Sequence, residues 1–227
     1  MKKGIYDIFL SVFLGILIIA ILGTAGFLIY KYYEKYKIND DTNEYLGEFD
    51  NYINQIGENN TVEDQNLLYD PEAENQAINE QSGPVRGINT NALNYRGYKV
   101  EGKLEMPSVN LQYPVLEQMT NANELEVSIA IQYGVGLNKV GNTVIIGHNY
   151  RSGLFFGSNK NMKVGDIVYI TDSETGTKVA YQIYNKYTTE EADTSFYNRN
   201  TNGKREVSLV TCQSNNDYRL VILAREV

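Results

Sequence analysis

The spacing of hydrophobic and polar positions changes twice along the chain. From Ile8 to Tyr30 the run is almost wholly apolar, interrupted only by Ser11, Thr24 and glycines. At about 1.5 Å per residue such a run reaches across a hydrocarbon core of about 30 Å. From Lys31 to Arg96 apolar residues are sparse among Asn, Glu, Asp and Gln, too few to repay the entropy of ordering, and the stretch reads as a polar stalk. Within it Tyr45, Leu46, Phe49, Ile53 and Ile56 fall on one helical face, with Asp40, Asp41 or Thr42 available as an N-cap. That face predicts either a short helix packed on the following domain or a marginal amphipathic segment of a solvated tether.

After Arg96 the spacing becomes period two. Tyr98, Val100, Leu104 and Met106 alternate with Lys99, Glu101, Lys103 and Glu105, a half-buried strand closed by Pro107. Leu111 to Val115, Val127 to Gln132, Thr143 to Ile146, Val168 to Thr171, Val179 to Ile183, Glu206 to Thr211 and Leu220 to Ala224 continue the series, with turn signals at Gly165-Asp166 and Gly176. About eight short strands in about 130 residues predict a closed barrel or sandwich. Thr120 to Leu125 and Glu190 to Tyr197 each have room for one or two helical turns. The chain therefore divides at 1–30, 31–96 and 97–227.

Charge sharpens this division. The first part carries Lys2, Lys3 and Asp7; residues 31–97 hold 5 basic and 13 acidic side chains; residues 98–227 hold 13 and 14. The acidic excess thus sits in the stalk, and the nearly neutral C-terminal part lacks the basic footprint that nucleic-acid binding needs. Gly23 and Ala25 before Gly26 leave a cleaved signal peptide as a competing reading of the apolar run. Its length and its continuation through Phe27 to Lys31 favour an uncleaved anchor. Lys2 and Lys3 on one side and Lys31, Lys35 and Lys37 on the other leave the orientation undecided by charge.

The chain has one histidine and one cysteine. Each ends an apolar strand: His148 follows Val144-Ile145-Ile146-Gly147, and Cys212 follows Leu209-Val210-Thr211. A lone thiol outside the cell forms no intramolecular disulfide and invites oxidation, so it calls for a reason. A thiol and an imidazole at strand ends supply a nucleophile and a proton donor. Arg219, on the next strand, adds a planar cation suited to a carbonyl oxygen or oxyanion. Taken singly, the bland readings are a buried small hydrophobe, a surface histidine and a solvated arginine.

At these residues the sequence resembles the sortase family, the membrane-anchored cysteine transpeptidases of Gram-positive bacteria. The resemblance runs from about Tyr98 to Glu226. It is carried by Leu104-Glu105-Met106-Pro107-Ser108-Val109-Asn110, Tyr113-Pro114-Val115-Leu116, Asn142-Thr143-Val144-Ile145-Ile146-Gly147-His148, Phe155 to Asp166, and Leu209-Val210-Thr211-Cys212 with Arg219-Leu220-Val221. It implies a mostly β fold, a closed eight-stranded sortase-type barrel with short helices after a transmembrane helix and stalk. It further implies Cys212 as nucleophile, His148 as general acid then base, and Arg219 as the group that steadies the substrate carbonyl. The flanking Thr211, Gln213 and Asn149 are expected to bind substrate. The implied substrates are secreted proteins bearing a C-terminal Leu-Pro-x-Thr-Gly-like sorting signal, joined through a thioacyl enzyme to a peptidoglycan precursor amine. The implied topology is single-pass in the cell membrane, amino terminus cytoplasmic and barrel outside. No metal or other cofactor is expected, since a thiolate is itself a competent nucleophile.

The sequence departs from many relatives at Ser128-Ile129-Ala130-Ile131-Gln132-Tyr133-Gly134, which stands where a Gly-Ala-Gly-His-like segment is usual. Glu190, Glu191 and Asp193 lie where some relatives bind calcium, and a solvated loop is expected here instead. No pilin-type lid motif is evident, so wall anchoring is preferred to pilin polymerisation. Two further classes differ in kind. Another cysteine enzyme of the wall would carry Gly before Cys, or Cys before His in sequence, whereas here Thr precedes Cys and His comes first. A non-catalytic membrane-anchored surface binding module would leave the thiol incidental.

Overall fold

The first described element is a helix, α1 (Ile5–Gln65), which tolerates its glycines and meets no proline before Pro71. The computed structural model describes residues 4–65, 90–213 and 217–227. These fall into two units, Met1–Asn43 and Glu44–Val227. In the first, the apolar side chains from Ile8 to Tyr30 stand exposed, and the helix is long and apolar enough to cross a membrane, with a window of mean hydropathy 2.7. Asp40 to Thr42 do not cap a helix start as expected. They lie within α1, and the Thr42 hydroxyl donates to the Ile38 carbonyl at 2.7 Å.

In the second unit the predicted helical face is buried. Tyr45, Leu46 and Phe49 pack with Tyr95, Val100, Leu116, Leu125 and Ala130, and Ile53 lies against the same cluster. The Tyr45 hydroxyl donates to the Ala92 carbonyl at 2.6 Å. Of the two readings of this stretch, the packed helix is the one observed, and it is a longer helix than expected. It also covers the face of the first long strand that alternation assigns to solvent: Lys103 is buried and paired with Asp50. Residues 66–89 of the expected stalk lie outside the described residues.

The strands are β1 (Asn94–Tyr95), β2 (Tyr98–Met106), β3 (Leu111–Gln118), β4 (Ile129–Gly134), β5 (Gly141–Ile146), β6 (Ile167–Asp172), β7 (Lys178–Glu190), β8 (Arg205–Cys212) and β9 (Tyr218–Glu226). They run in the order β1-β2-β3-β4-β5-β8-β9-β7-β6, and pairing of β2 with β6 closes β2 to β9 into an eight-stranded barrel. The pairs β3–β4 and β5–β8 are parallel; the rest are antiparallel. At the closing seam Gly102 faces Asp172, where a Cβ would collide with the Thr171 backbone carbonyl oxygen, so the approach needs glycine. The interior is filled by Leu104, Tyr113, Ile129, Ile145, Leu209 and Ile222 among others.

All eight expected strands occur, and the two-residue β1 was not expected. A helical turn at Ala122–Glu126 matches the one anticipated near Thr120 to Leu125; it is tied by Glu124, whose carboxylate accepts the Thr120 amide at 3.1 Å and its hydroxyl at 3.0 Å. No helix forms from Glu190 to Tyr197. Strand β7 runs on to Glu190, past a register shift between Ile183 and Asn185 that breaks its alternation, and Asp193 turns the chain by accepting from the Ser195 amide at 2.8 Å.

Candidate active site

Strand parity decides what the outer wall of the barrel displays. On β8, Val207 and Leu209 point into the core, so Glu206, Ser208, Val210 and Cys212 face out. On β9 the outward set is Arg219, Val221, Leu223 and Arg225, and on β5 it is Asn142, Val144 and Ile146, followed two positions on by His148. The registers align these sets in rows: Cys212 pairs with Arg219, Val210 with Ile146 and Val221, and Glu206 with Asn142 and Arg225.

The histidine segment is stitched to the cysteine segment beyond the last ladder pair. The Gly147 amide donates to the Val210 carbonyl at 3.2 Å, the Thr211 hydroxyl to the Gly147 carbonyl at 2.7 Å, and the Asn149 side-chain amide to the Cys212 carbonyl at 2.8 Å. Gly147 has no room for a side chain, since a Cβ would lie 2.7 Å from Ile129 and 3.1 Å from the Phe156 ring. His148, Cys212 and Arg219 consequently line one cleft of about 620 Å³, together with Arg151, Lys160 and Glu191.

His148 and Arg219 each have a carboxylate neighbour. His148 Nε2 lies 3.0 Å from Glu126 Oε1, and the other oxygen of that carboxylate accepts the Tyr150 hydroxyl at 2.6 Å. The Tyr150 bond, with the adjacent imidazole, holds the Glu126 carboxyl below its usual value despite some desolvation. Arg219 is mostly buried and paired with the exposed Glu191 carboxylate. Cys212 is half-buried and free of any disulfide.

Thr211, Gln213 and Asn149, expected on the substrate side, all border the cleft, with their polar groups engaged by the protein. Thr211 is buried and bonded to Gly147, Asn149 holds the Cys212 backbone, and Gln213 reaches Thr188 Oγ1 at 3.3 Å while its amide donates to Tyr218. Glu126, Tyr150 and the Glu191 contact were not anticipated. Glu126 is 22 residues from His148, and neither residue type signals the other; the antiparallel β4–β5 pairing, with Ala130 opposite Ile146, brings the turn before β4 to the end of β5.

Below the cleft, the loop from Glu191 to Lys204 lies on the outer rows. Phe196 is buried against Val144, Val210, Val221 and Leu223. Beyond it Arg199 ion-pairs with Glu206 and donates to Asn142 Oδ1 at 2.7 Å and Ser208 Oγ at 3.1 Å, while Arg225 Nε donates to the other Glu206 oxygen at 2.7 Å. Burial raises the Glu206 carboxyl, yet bonds from Tyr184, Arg225 and Arg199 outweigh it and hold the group below the usual carboxylate range.

The Sortase domain model matches residues 104–227, from the middle of β2 to the last residue of the chain. The chain belongs to the sortase family. Sortase A of Bacillus anthracis is 30% identical over 127 residues, which cover 55% of this chain and 58% of that protein. Sortase A of Listeria monocytogenes is 30% identical over 122 residues, or 53% of each. The chain thus spans less than two thirds of the length of these relatives. Among solved structures, a lid mutant of sortase A from Corynebacterium diphtheriae superposes with a TM-score of 0.52 at 24% identity, covering 57% of this chain and 71% of that one. Streptococcus pneumoniae sortase C gives 0.51 at 24% identity, covering 60% and 72%. These likenesses concern the sortase barrel, and α1 precedes the matched region.

Proposed function

We propose that this sortase is a cysteine transpeptidase that cleaves a C-terminal Leu-Pro-x-Thr-Gly-like sorting signal and transfers the protein to a cell-wall amine. The observation that carries the reading is the row at the barrel rim. Cys212 stands opposite Arg219, the stitched end of β5 brings His148 beside them, and all three line one cleft.

In the first half-reaction the Cys212 thiolate attacks the carbonyl carbon of the signal's Thr. The oxyanion that develops lies against the Arg219 guanidinium, whose donors are fixed by the strand. As the tetrahedral species collapses, the imidazolium of His148 gives its proton to the departing Gly amine, and a thioester to Cys212 remains. In the second half, an acceptor amine attacks the thioester, His148 takes the amine's proton, and the thiolate leaves. The residues Thr211 and Asn149 keep the two reacting segments in register, serving as positioning residues for the substrate side.

The apolar part of α1 supports anchoring in the cell membrane. With the amino terminus cytoplasmic and the barrel outside, the cleft meets secreted substrates and peptidoglycan precursors. Incubating the protein with a sorting peptide and an acceptor amine and following both products tests the reading. Transfer product that depends on Cys212 supports it; absence of both cleavage and transfer across a panel of sorting peptides counts against it.

A further inference from the structure

The carboxylate beside His148 is held from two directions. Glu126 ends the 3-10 turn Ala122–Glu126, whose first half is fixed by the Asn121 side chain accepting the Asn123 amide at 2.9 Å and by the buried Glu124. Its two oxygens divide their partners, one to His148 Nε2 at 3.0 Å and the other to the Tyr150 hydroxyl at 2.6 Å. Tyr150 is itself braced: its ring lies 5.2 Å from the imidazole and 5.7 Å from Phe155. Phe155 sits at φ 50° with its amide donating to the Tyr113 hydroxyl at 2.9 Å. A non-glycine residue is kept in that region only where its surroundings over-determine it.

A carboxylate only accepts, so the ring nitrogen it touches must carry a proton. A neutral imidazole has a single N–H, and placing it on Nε2 leaves Nδ1 as the basic atom. We propose that Glu126, braced by Tyr150, is a positioning residue for transpeptidation, fixing the orientation and tautomer of His148 so that Nδ1 is the atom that exchanges protons. The proposal rests on the cysteine transpeptidase reading above. In the first half-reaction Nδ1–H of the imidazolium goes to the leaving amine, and the neutral ring keeps Nε2–H on Glu126. In the second, Nδ1 takes a proton from the attacking amine, and the imidazolium is restored as the thiolate departs.

The other ionisable side chains lining the cleft are Arg151, Lys160, Glu191, Cys212 and Arg219. Glu191 is committed to Arg219, which leaves Glu126 as the carboxylate bonded to the imidazole among the described residues. Exposure of Glu126 weakens the contact relative to a buried acid, so its removal should cost far less than losing the orienting acid of a serine protease, about tenfold in kcat.

The test uses the full-length protein in detergent with Glu126→Ala, Glu126→Gln and Tyr150→Phe. Because the chain has one histidine, the two ring nitrogens are read without assignment ambiguity from two-bond 15N–1H correlations at alkaline pH. The parent is expected to show the Nε2–H tautomer and Glu126→Ala a mixture, with kcat for transfer falling about tenfold and KM for the sorting peptide little changed. Glu126→Gln keeps an acceptor and should recover both the tautomer and part of the rate; Tyr150→Phe should lose a few-fold. An unchanged kcat in Glu126→Ala, whatever the tautomer, overturns the proposal, as does a tautomer mixture already present in the parent. A parent without transfer activity would sink the enzyme reading instead, while the ring-nitrogen pattern still reports on the contact.

Discussion

Cys212 and Arg219 are direct partners across the β8–β9 ladder, so the thiol and the guanidinium leave neighbouring strands on the same face of the barrel. Their separation is set by sheet geometry rather than by the loop that joins them. In the resting protein the guanidinium is also paired with Glu191. Replacing Arg219 with Lys keeps the charge but loses the planar fork, and acylation should slow by about a hundredfold with the thiol still open to small alkylating reagents. Single-turnover acylation near the parent rate would remove Arg219 from the reaction.

Glu191→Gln should act in the opposite direction. The pair it breaks is exposed on the acid side and worth at most about 1 kcal/mol, so stability should be nearly unchanged. In the proposed mechanism the substitution removes the Glu191 pairing that competes with the substrate carbonyl for Arg219, and kcat/KM should rise up to about fivefold. A fall in kcat/KM would show that Glu191 assists binding.

In the proposed mechanism, loss of His148 removes both the proton donor to the leaving amine and the base for the incoming one. His148→Ala should depress acylation and transfer together, by about a hundredfold or more. If transfer fell while acylation kept its parent rate, the leaving group would be protonated by another group.

The helix that covers the barrel makes a stability prediction. Phe49 is fully buried in the cluster with Val100 and Leu116, and Phe49→Ala should destabilise the second unit by about 3 to 5 kcal/mol. Denaturant unfolding monitored on the barrel measures this, and a change below 1 kcal/mol would mean that the helix adds nothing to the fold.

Glu206 carries a pH dependence. Its folded carboxyl lies below the usual range, so its stabilisation is present above the unfolded value of about 4.3 and is lost as pH falls through the lower folded value. Glu206→Gln should therefore be less stable than the parent at pH 7, by about 3 kcal/mol, with the gap narrowing below about pH 4. A gap that stays constant down to pH 3 would contradict the charge assignment.

Most strands were legible because burial follows parity along their central residues: Leu104 and Met106, or Val207 and Leu209, announce an inner face. Val100, expected on that same face, instead packs with Phe49 under the helix, because β2 shifts register between Val100 and Gly102. As candidates, Cys212 and His148 were legible for a different reason, being the one cysteine and the one histidine at the ends of those strands, and Arg219, one of seven arginines, through its place on the next strand. Glu126 and Glu191 were not, because a surface carboxylate has no periodicity and gains its meaning only when β4 and β7 carry it to the rim. Lys103 misled for a related reason. Its parity marks solvent, and only a helix 53 residues earlier, bearing Asp50, turns that position into a buried ion pair. The extent of β7 was hidden by its register shift, which interrupts the alternation that reveals a strand.

The most direct test of the account is mass measurement of the intact protein after brief mixing with a Leu-Pro-x-Thr-Gly peptide, in the absence of an acceptor amine. The account predicts a mass increase equal to the peptide up to its Thr acyl group, mapped to Cys212, released by an added amine and absent from a folded Cys212→Ala variant. Peptide cleavage that persists in folded Cys212→Ala, or an adduct at any other residue, would contradict it.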